Sequence, residues 1–331
     1  MGAVVIWLVL PFLLSLAVTW LALQYALRIS LMDQPGARRS HSVATPRGGG
    51  ISIVVCLLLG MAWISVAYPV HALSMAGVSA GLVLVGGVGW WDDHRPLSPL
   101  LRLLVQAIAG LVLAWVFFRA TGTLRPAVLA FVAVMVLVNV WNFMDGINGL
   151  AASQAAIASV GFGCMVPSGP WFWLSALLFA SVCGFLPFNF PRARIFLGDV
   201  GSGALGYLLA VLLVAASLHA PVPVLLLLLL PLSAFLIDAG FTLLRRMLAR
   251  ERWWEPHVQH VYQQWARQHR THVRITLAYA LFSILGVILL LAALSWSQAG
   301  MAWGALAWYT TGTLVWARLR KDVQLSKETD Q

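Results

Sequence analysis

The chain has 331 residues, 61% of them hydrophobic and 10% charged, with a formal net charge of +10. A soluble domain carries roughly 25% charged residues, so this composition excludes an ordinary soluble protein. The apolar residues fall into blocks of about 20, the length a helix needs to cross a bilayer, and the basic residues flank those blocks as membrane topology demands, which leaves no reason to expect nucleic acid.

Eleven apolar blocks follow one another at roughly 3–27, 51–70, 73–91, 101–118, 127–142, 147–166, 171–189, 203–218, 222–244, 275–295 and 301–317. They predict an all-α polytopic membrane protein of about eleven transmembrane helices. The first block has no basic leader and is too long for the core of a signal peptide, so it reads as a retained span. Gly86, Gly87 and Gly89 in the third block suit close helix packing. Only Asn142 to Gly146 divides the fifth from the sixth. Cys56, Cys164 and Cys183 lie inside blocks and form no CxxC or Cys/His cluster, so neither a disulfide framework nor a zinc site is expected.

This pattern makes residues 1–331 one polytopic domain, with a cytoplasmic loop over 245–274 and a cytoplasmic tail over 318–331. Alternation of the loops puts nineteen of the 21 Lys and Arg residues on one side and only Arg119 and Arg125 on the other. That bias predicts an N-terminus outside, periplasmic if the membrane is a bacterial inner membrane, and a cytoplasmic C-terminus. All eleven acidic residues fall with the basic set, so the chemistry belongs at the cytoplasmic face.

Five polar constellations interrupt the apolar pattern. The first loop, from Asp33 to Gly50, carries Arg38 and Arg47 and ends in three glycines. It reads as a flexible basic segment that either closes over a phosphate or serves only as a topological signal. Asp92 and Asp93 end the third block; adjacent carboxylates repel unless a cation or proton is shared, and magnesium is commonly held by such groups. The plain alternative is a solvated helix end, with Arg95 as partner and Ser98 capping the next helix. Asn139, Asn142 and Asp145 follow at i, i+3 and i+6, one face of a helix that continues, before the glycines of DGING. They are either ligand-facing or an amide clasp between helices.

The fourth stretch, FLGDVGSGALG, contains GxGxxG at Gly201, Gly203 and Gly206 behind Asp199. No βαβ unit surrounds it, so a dinucleotide fold is not supported. A glycine turn into a helix N-terminus still presents N–H groups to a phosphate, although Asp199 would repel an anion without a metal between them. Tight packing at a helix start is the alternative. In the fifth, His257 and His260 sit at i, i+3 on one face of a short helix and suit phosphate contacts, unless the segment is a plain surface helix. Asp238, late in the ninth block, reads either as a buried structural charge or as part of the acidic cluster.

Carboxylates, glycine turns, amides, arginines and histidines on one face form the kit of a phosphoryl-transfer reaction, which runs on positioning and charge neutralisation. The series TPRGGG, WWDDHRPLSP, NVWNFMDGINGLA, IFLGDVGSGALG and PHVQHVYQ resembles the polyprenyl-phosphate N-acetylhexosamine-1-phosphate transferases of the glycosyltransferase 4 family, in order, over residues 33–263. The resemblance implies transfer of a sugar phosphate from a UDP-N-acetylhexosamine to undecaprenyl phosphate in the bilayer, with Mg2+ or Mn2+ as cofactor. It assigns Asp92 and Asp93 to activating the lipid phosphate or meeting the metal, and Asp199 to the metal. Asn142 and Asp145 match the polar face of the central motif, with Asn139 beside them. Gly146 and Asn148 match its nucleotide-side turn, Asn189 and Phe196 match uracil contacts, and His257 and His260 match diphosphate contacts.

Two departures set the branch. The histidines stand three apart rather than in a compact His-x-His motif, and Asn148 replaces an acid of the peptidoglycan translocases. Both are similar to enzymes that start O-antigen and other surface polysaccharides, which implies N-acetylglucosamine or an N-acetylated 6-deoxyhexose as the sugar. A homodimer is compatible with this reading, and so is either direct attack or a two-step route through an aspartyl-phosphate. The rival class, a transporter, calls for charges near the midplane and inverted repeats, neither of which is present. A scaffold without catalysis leaves the carboxylate and glycine pattern without a cause.

Overall fold

A computed structural model describes residues 2–36, 43–218, 220, 224–252, 258–269 and 271–329. Thirteen α-helices are present among them: α1 Gly2–Arg28, α2 Ile51–Ala67, α3 Ala72–His94, α4 Pro99–Thr121, α5 Leu124–Met144, α6 Leu150–Met165, α7 Pro170–Asn189, α8 Gly198–Leu218, α9 Leu225–Leu228, α10 Ser233–Leu248, α11 Val261–His269, α12 His272–Ala293 and α13 Gln298–Thr329. Each of the eleven apolar blocks carries a helix. Among the described residues eight helical segments are long and apolar enough to cross a membrane, the broken Leu225–Leu248 stretch counted as one. Helices α2 and α6 are shorter apolar helices, and α13, over the eleventh block, is not among the eight, so the expected eleven spans are not all met.

The ninth block is not one continuous helix. Pro231 lacks an amide hydrogen, and the chain passes from α9 through a 3-10 turn at Leu230–Leu232 into α10. Local chemistry sets several other boundaries. Ser98 caps α4, its hydroxyl accepting from the Leu101 N–H at 3.3 Å, while Gly122 ends that helix in the left-handed region at φ 68°.

Helix α8 is the axis of the bundle. Every residue from Val200 to Ser217 is buried, whereas only 17% of the apolar window of α1 is. A helix that is apolar all round belongs inside a bundle, and α8 packs against α5, α3 and α6. Helix α2 meets it at a point of near contact between backbones: a Cβ on Gly50 would collide with Gly201 Cα, Gly201 N and the Leu197 carbonyl. No side chain fits there.

The first loop is not flexible over the part that is described. Met32–Asp33 (β1) pairs antiparallel with Thr45–Pro46 (β2), Met32 opposite Pro46. Beyond β2 the chain runs beside the stretch leading into α8. Phe196 N–H donates to the Pro46 carbonyl at 2.8 Å, Gly49 N–H to Phe196 O at 2.9 Å, and Gly50 N–H to Leu197 O at 2.8 Å. The TPRGGG and IFLGD motifs therefore form one backbone-paired unit, and the expectation of a loose loop is corrected from Thr45 onward.

Candidate active site

Asp93, at the end of α3, points into the N-terminus of α8. Its Oδ1 accepts from the Asp199 N–H at 3.0 Å and its Oδ2 from the Val200 N–H at 3.1 Å. A helix start leaves N–H groups unpaired and carries the positive end of the dipole, so a carboxylate there satisfies both. Arg47 closes the other side: its Nη2 donates to the Asp93 backbone carbonyl, and its Nε lies 3.9 Å from Oδ1. Gly198 makes room for this cap at φ 77°, where a Cβ would strike the Asp93 carboxylate.

Two expectations change as a result. The first amides of the GDVGSG segment are occupied by Asp93 rather than open to a phosphate, and Gly201, Gly203 and Gly206 lie inside α8 as packing residues. Asp93 itself is 1% exposed. It holds the start of α8 through these two bonds.

The carboxylate that faces outward is Asp199, and Asp92, itself 8% exposed, lies beside it. Asp92 Oδ1 accepts from the Leu97 N–H at 2.5 Å and Oδ2 from Arg102 Nη1 at 2.9 Å. The same Nη1 lies 3.5 Å from Asp199 Oδ2. Asp199 Oδ1 in turn accepts from Asn142 Nδ2 at 2.6 Å, and Asn142 also reaches the Ser202 hydroxyl at 3.4 Å. The Asp92 and Asp199 carboxylates thus meet at the same Arg102 nitrogen. Asp199 is the most open of the three acids, its side chain 32% exposed.

Arg102, and not Arg95, is therefore the partner of Asp92, and sequence reasoning missed it as a site residue. A signal existed. Arg102 and Gln106 are four apart in a run that is otherwise apolar, which puts both on one face of α4.

The central motif divides into two parts. Asn139 donates to Gln106 Oε1 at 2.7 Å and to the Met135 carbonyl at 2.8 Å, so it clasps α5 to α4. Helix α5 then stops at Met144, and Asp145 adopts φ −89°, ψ 62°. The expected i, i+3, i+6 face thus loses its third member to the DGING turn. Within that turn Asn148 Nδ2 donates to the Pro191 carbonyl at 3.1 Å, and its own carbonyl accepts from Thr276 Oγ1 at 2.8 Å. Asn189 is 4% exposed, accepting from the Gly149 N–H at 2.8 Å and donating to the Ile195 carbonyl at 3.0 Å. Both ends of that amide hold backbone. Phe196 is half-buried, with its backbone paired to the TPRGGG strand.

His257 and Arg38 lie outside the described residues. His260 lies just before α11, which begins at Val261, so it is not on the helix expected there. Its ring is buried between Phe143 and Tyr262, at 6.1 and 6.0 Å between centroids, with Nδ1 3.9 Å from Asp238 Oδ1. Burial lowers its pKa, Asp238 opposes that shift and Arg246 adds to it, so the imidazole is held towards its neutral form. His260 thus stacks beside Tyr262, next to the DGING turn. Gly146 lies against the Tyr262 hydroxyl, which donates to the Phe143 carbonyl at 2.9 Å.

Among the described residues no group of three or more His, Cys, Asp or Glu forms a metal cage. Magnesium needs no such cage, since one or two carboxylates usually hold it with substrate phosphates and water completing the shell. Asp199 and Asp92 offer that donor set, all oxygen, with Asp199 open on one side. The residues fit a hard divalent cation.

Fold and site together define a polytopic helical protein of the membrane type, with a carboxylate and guanidinium cluster where α3, α4, α5 and α8 converge. Residues 75–217 match glycosyl transferase family 4. The chain resembles that family over this segment, 143 of its 331 residues. It is 27% identical over 311 residues to a probable undecaprenyl-phosphate N-acetylglucosaminyl 1-phosphate transferase of Bacillus subtilis, covering 86% of this chain and 85% of the relative. An undecaprenyl-phosphate alpha-N-acetylglucosaminyl 1-phosphate transferase of Yersinia pestis is 28% identical over 310 residues, covering 85% and 83%. A phospho-N-acetylmuramoyl-pentapeptide-transferase of Acaryochloris marina is 33% identical over 216 residues, but there the chain spans only 57% of the relative's length.

Proposed function

We propose that the chain transfers N-acetylhexosamine-1-phosphate from a UDP-sugar to undecaprenyl phosphate, releasing UMP and starting an O-antigen or another surface polysaccharide. The observation that carries this reading is the Asp92–Arg102–Asp199–Asn142 cluster, two carboxylates bound to one guanidinium at the edge of a sheath of apolar helices. The two relatives matched along most of their length are named for N-acetylglucosaminyl phosphate transfer, which favours N-acetylglucosamine as the sugar. A transporter is not favoured.

In this mechanism an oxygen of the lipid phosphate forms a bond to the sugar-linked phosphorus, the bond to the bridging oxygen breaks, and that oxygen leaves with UMP. Magnesium bound by Asp199 and Asp92 would supply charge neutralisation for the diphosphate. Arg102 bridges the same two carboxylates and lies where charge develops on the transferred phosphoryl group. Asn142 fixes the Asp199 carboxylate through its 2.6 Å hydrogen bond. Asp93 and Arg47 hold the start of α8 from below. The long prenyl chain stays in the bilayer, with the site at the cytoplasmic face, as the clustering of basic residues there supports.

Purified full-length protein supplied with magnesium, undecaprenyl phosphate and a panel of labelled UDP-N-acetylhexosamines tests the reading. UMP release and one lipid-linked product are expected, with N-acetylglucosamine the best donor. Failure of every sugar in the panel sinks the proposal.

Arg102 gives a sharper prediction. Arg102→Ala removes the cation that bridges Asp92 and Asp199, and the initial rate of transfer should fall about a hundredfold. Arg102→Lys keeps the charge without the guanidinium's fork and should recover part of that loss. Equal rates for Arg102→Ala and the parent would remove Arg102 from the site.

A further inference from the structure

Asp238 belongs to no part of the cluster above, and yet five hydrogen bonds converge on its carboxylate. It is 1% exposed on α10. Its Oδ1 accepts from the Val261 N–H at 2.9 Å, from Trp316 Nε1 at 3.2 Å and from Thr242 Oγ1 at 3.3 Å. Its Oδ2 accepts from the Tyr279 hydroxyl at 2.8 Å and from the Tyr262 N–H at 3.2 Å. A buried carboxylate is tolerated only with such a full set of donors, because the bare charge costs several kcal/mol in a protein interior, so the arrangement is a built one.

The donors come from four directions: α10 itself, α12 through Tyr279, α13 through Trp316, and the first two amides of α11. The α11 pair repeats the geometry of Asp93 on α8, a carboxylate from one helix capping the start of another. From Asp238 the contacts lead on to the site. Val261 and Tyr262 are the residues next to His260, and the Tyr262 hydroxyl donates to the Phe143 carbonyl against Gly146. A chain of short contacts therefore runs from the α12 and α13 helices, through Asp238 and Tyr262, to the DGING turn.

We propose that Asp238 is a positioning residue for the nucleotide-sugar side of the site: by capping α11 it sets Tyr262 and His260 against the DGING turn and so fixes that turn's conformation. The inference rests on the transferase reading for the identity of the donor. Asp238→Asn is the informative change. Its amide keeps one acceptor oxygen but turns an NH2 group toward N–H and O–H donors, so at least one of the five bonds is replaced by a repulsive contact. The effect should fall on binding of the sugar nucleotide and leave the lipid phosphate alone.

The experiment measures steady-state kinetics of the detergent-solubilised full chain with UDP-N-acetylglucosamine and undecaprenyl phosphate. Asp238→Asn is expected to raise KM for the nucleotide sugar about tenfold or more, with KM for the lipid phosphate within about twofold of the parent. Asp238→Glu restores the charge and should recover part of the change. Tyr279→Phe and Trp316→Phe each remove one donor and should move the same constant in the same direction by a smaller factor; if Asp238→Asn fails to fold, these two carry the test. Unchanged donor KM in all variants, or an equal rise for both substrates, overturns the proposal. Hydrogen exchange separates this from failure of the transferase reading. If the parent transfers no sugar, loss of amide protection over residues 143–149 in Tyr262→Phe and Tyr279→Phe still supports the coupling, and unchanged protection refutes it.

Discussion

Asp199→Asn should lower the rate of UMP release by about a thousandfold or more, equivalent to roughly 4 kcal/mol of transition-state stabilisation. The substitution is nearly isosteric, so the start of α8 has no steric reason to move. Its backbone N–H still meets Asp93 Oδ1, and the glycines behind it still pack. What changes is charge. The most open carboxylate of the site becomes neutral, Arg102 keeps only Asp92, and Asn142 faces an amide instead of an anion. A divalent cation then has one carboxylate in place of two, so the magnesium concentration giving half-maximal rate should rise as well. Full turnover by Asp199→Asn, with parental magnesium dependence, would show that the chemistry lies elsewhere. The companion Asp93→Asn helps to interpret the result: it should reduce the yield of folded protein before it touches the rate constant, since Asp93 is buried against the helix start.

Gly50→Ala should prevent recovery of a monodisperse folded protein, although only one methyl group is added. The methyl carbon would occupy the place of Gly201 Cα and the Leu197 carbonyl, which are backbone atoms at the start of the central helix. Flexible side chains can yield to an intruding methyl, but paired backbone cannot, and overpacking of a rigid interior costs about 1–3 kcal/mol even where some relaxation is available. Here any relaxation separates TPRGGG from IFLGD, breaking the Gly50-to-Leu197 hydrogen bond and shifting Asp199 with it. Size-exclusion profile and thermal unfolding of the purified variant check this. Gly87→Ala, on α3 with open space at that point, is the control and should behave as the parent does.

The fold class was legible because a bilayer imposes a crude rule: about 20 apolar residues per crossing. All eleven blocks carry helices, and the Ser98 cap was readable from its position before a proline. Breaks within a block were less visible. Leu225 to Leu248 is uniformly apolar enough to hide the turn at Pro231. The site was legible as a set of residues and much less so as a set of roles. Asp92 turns to Arg102 beside the more open Asp199, whereas Asp93, one residue away from Asp92, turns to the start of α8. Adjacent residues on a helix point about 100° apart, and which of the pair faces the cleft depends on where α8 begins, a long-range fact. Asn189 and His260 carry the same lesson. Both are polar motif residues buried against backbone or rings, a placement set by long-range packing.

The sheathing of α8 has a consequence for how this protein meets its surroundings. Lipids of differing thickness press on the outermost helices, such as α1, which answer hydrophobic mismatch by tilting. The helix that carries Asp199 is covered by its neighbours from Val200 to Ser217. The site thus hangs from an inner shaft, and bilayer deformation is taken up at the rim before it can change the spacing of the carboxylates.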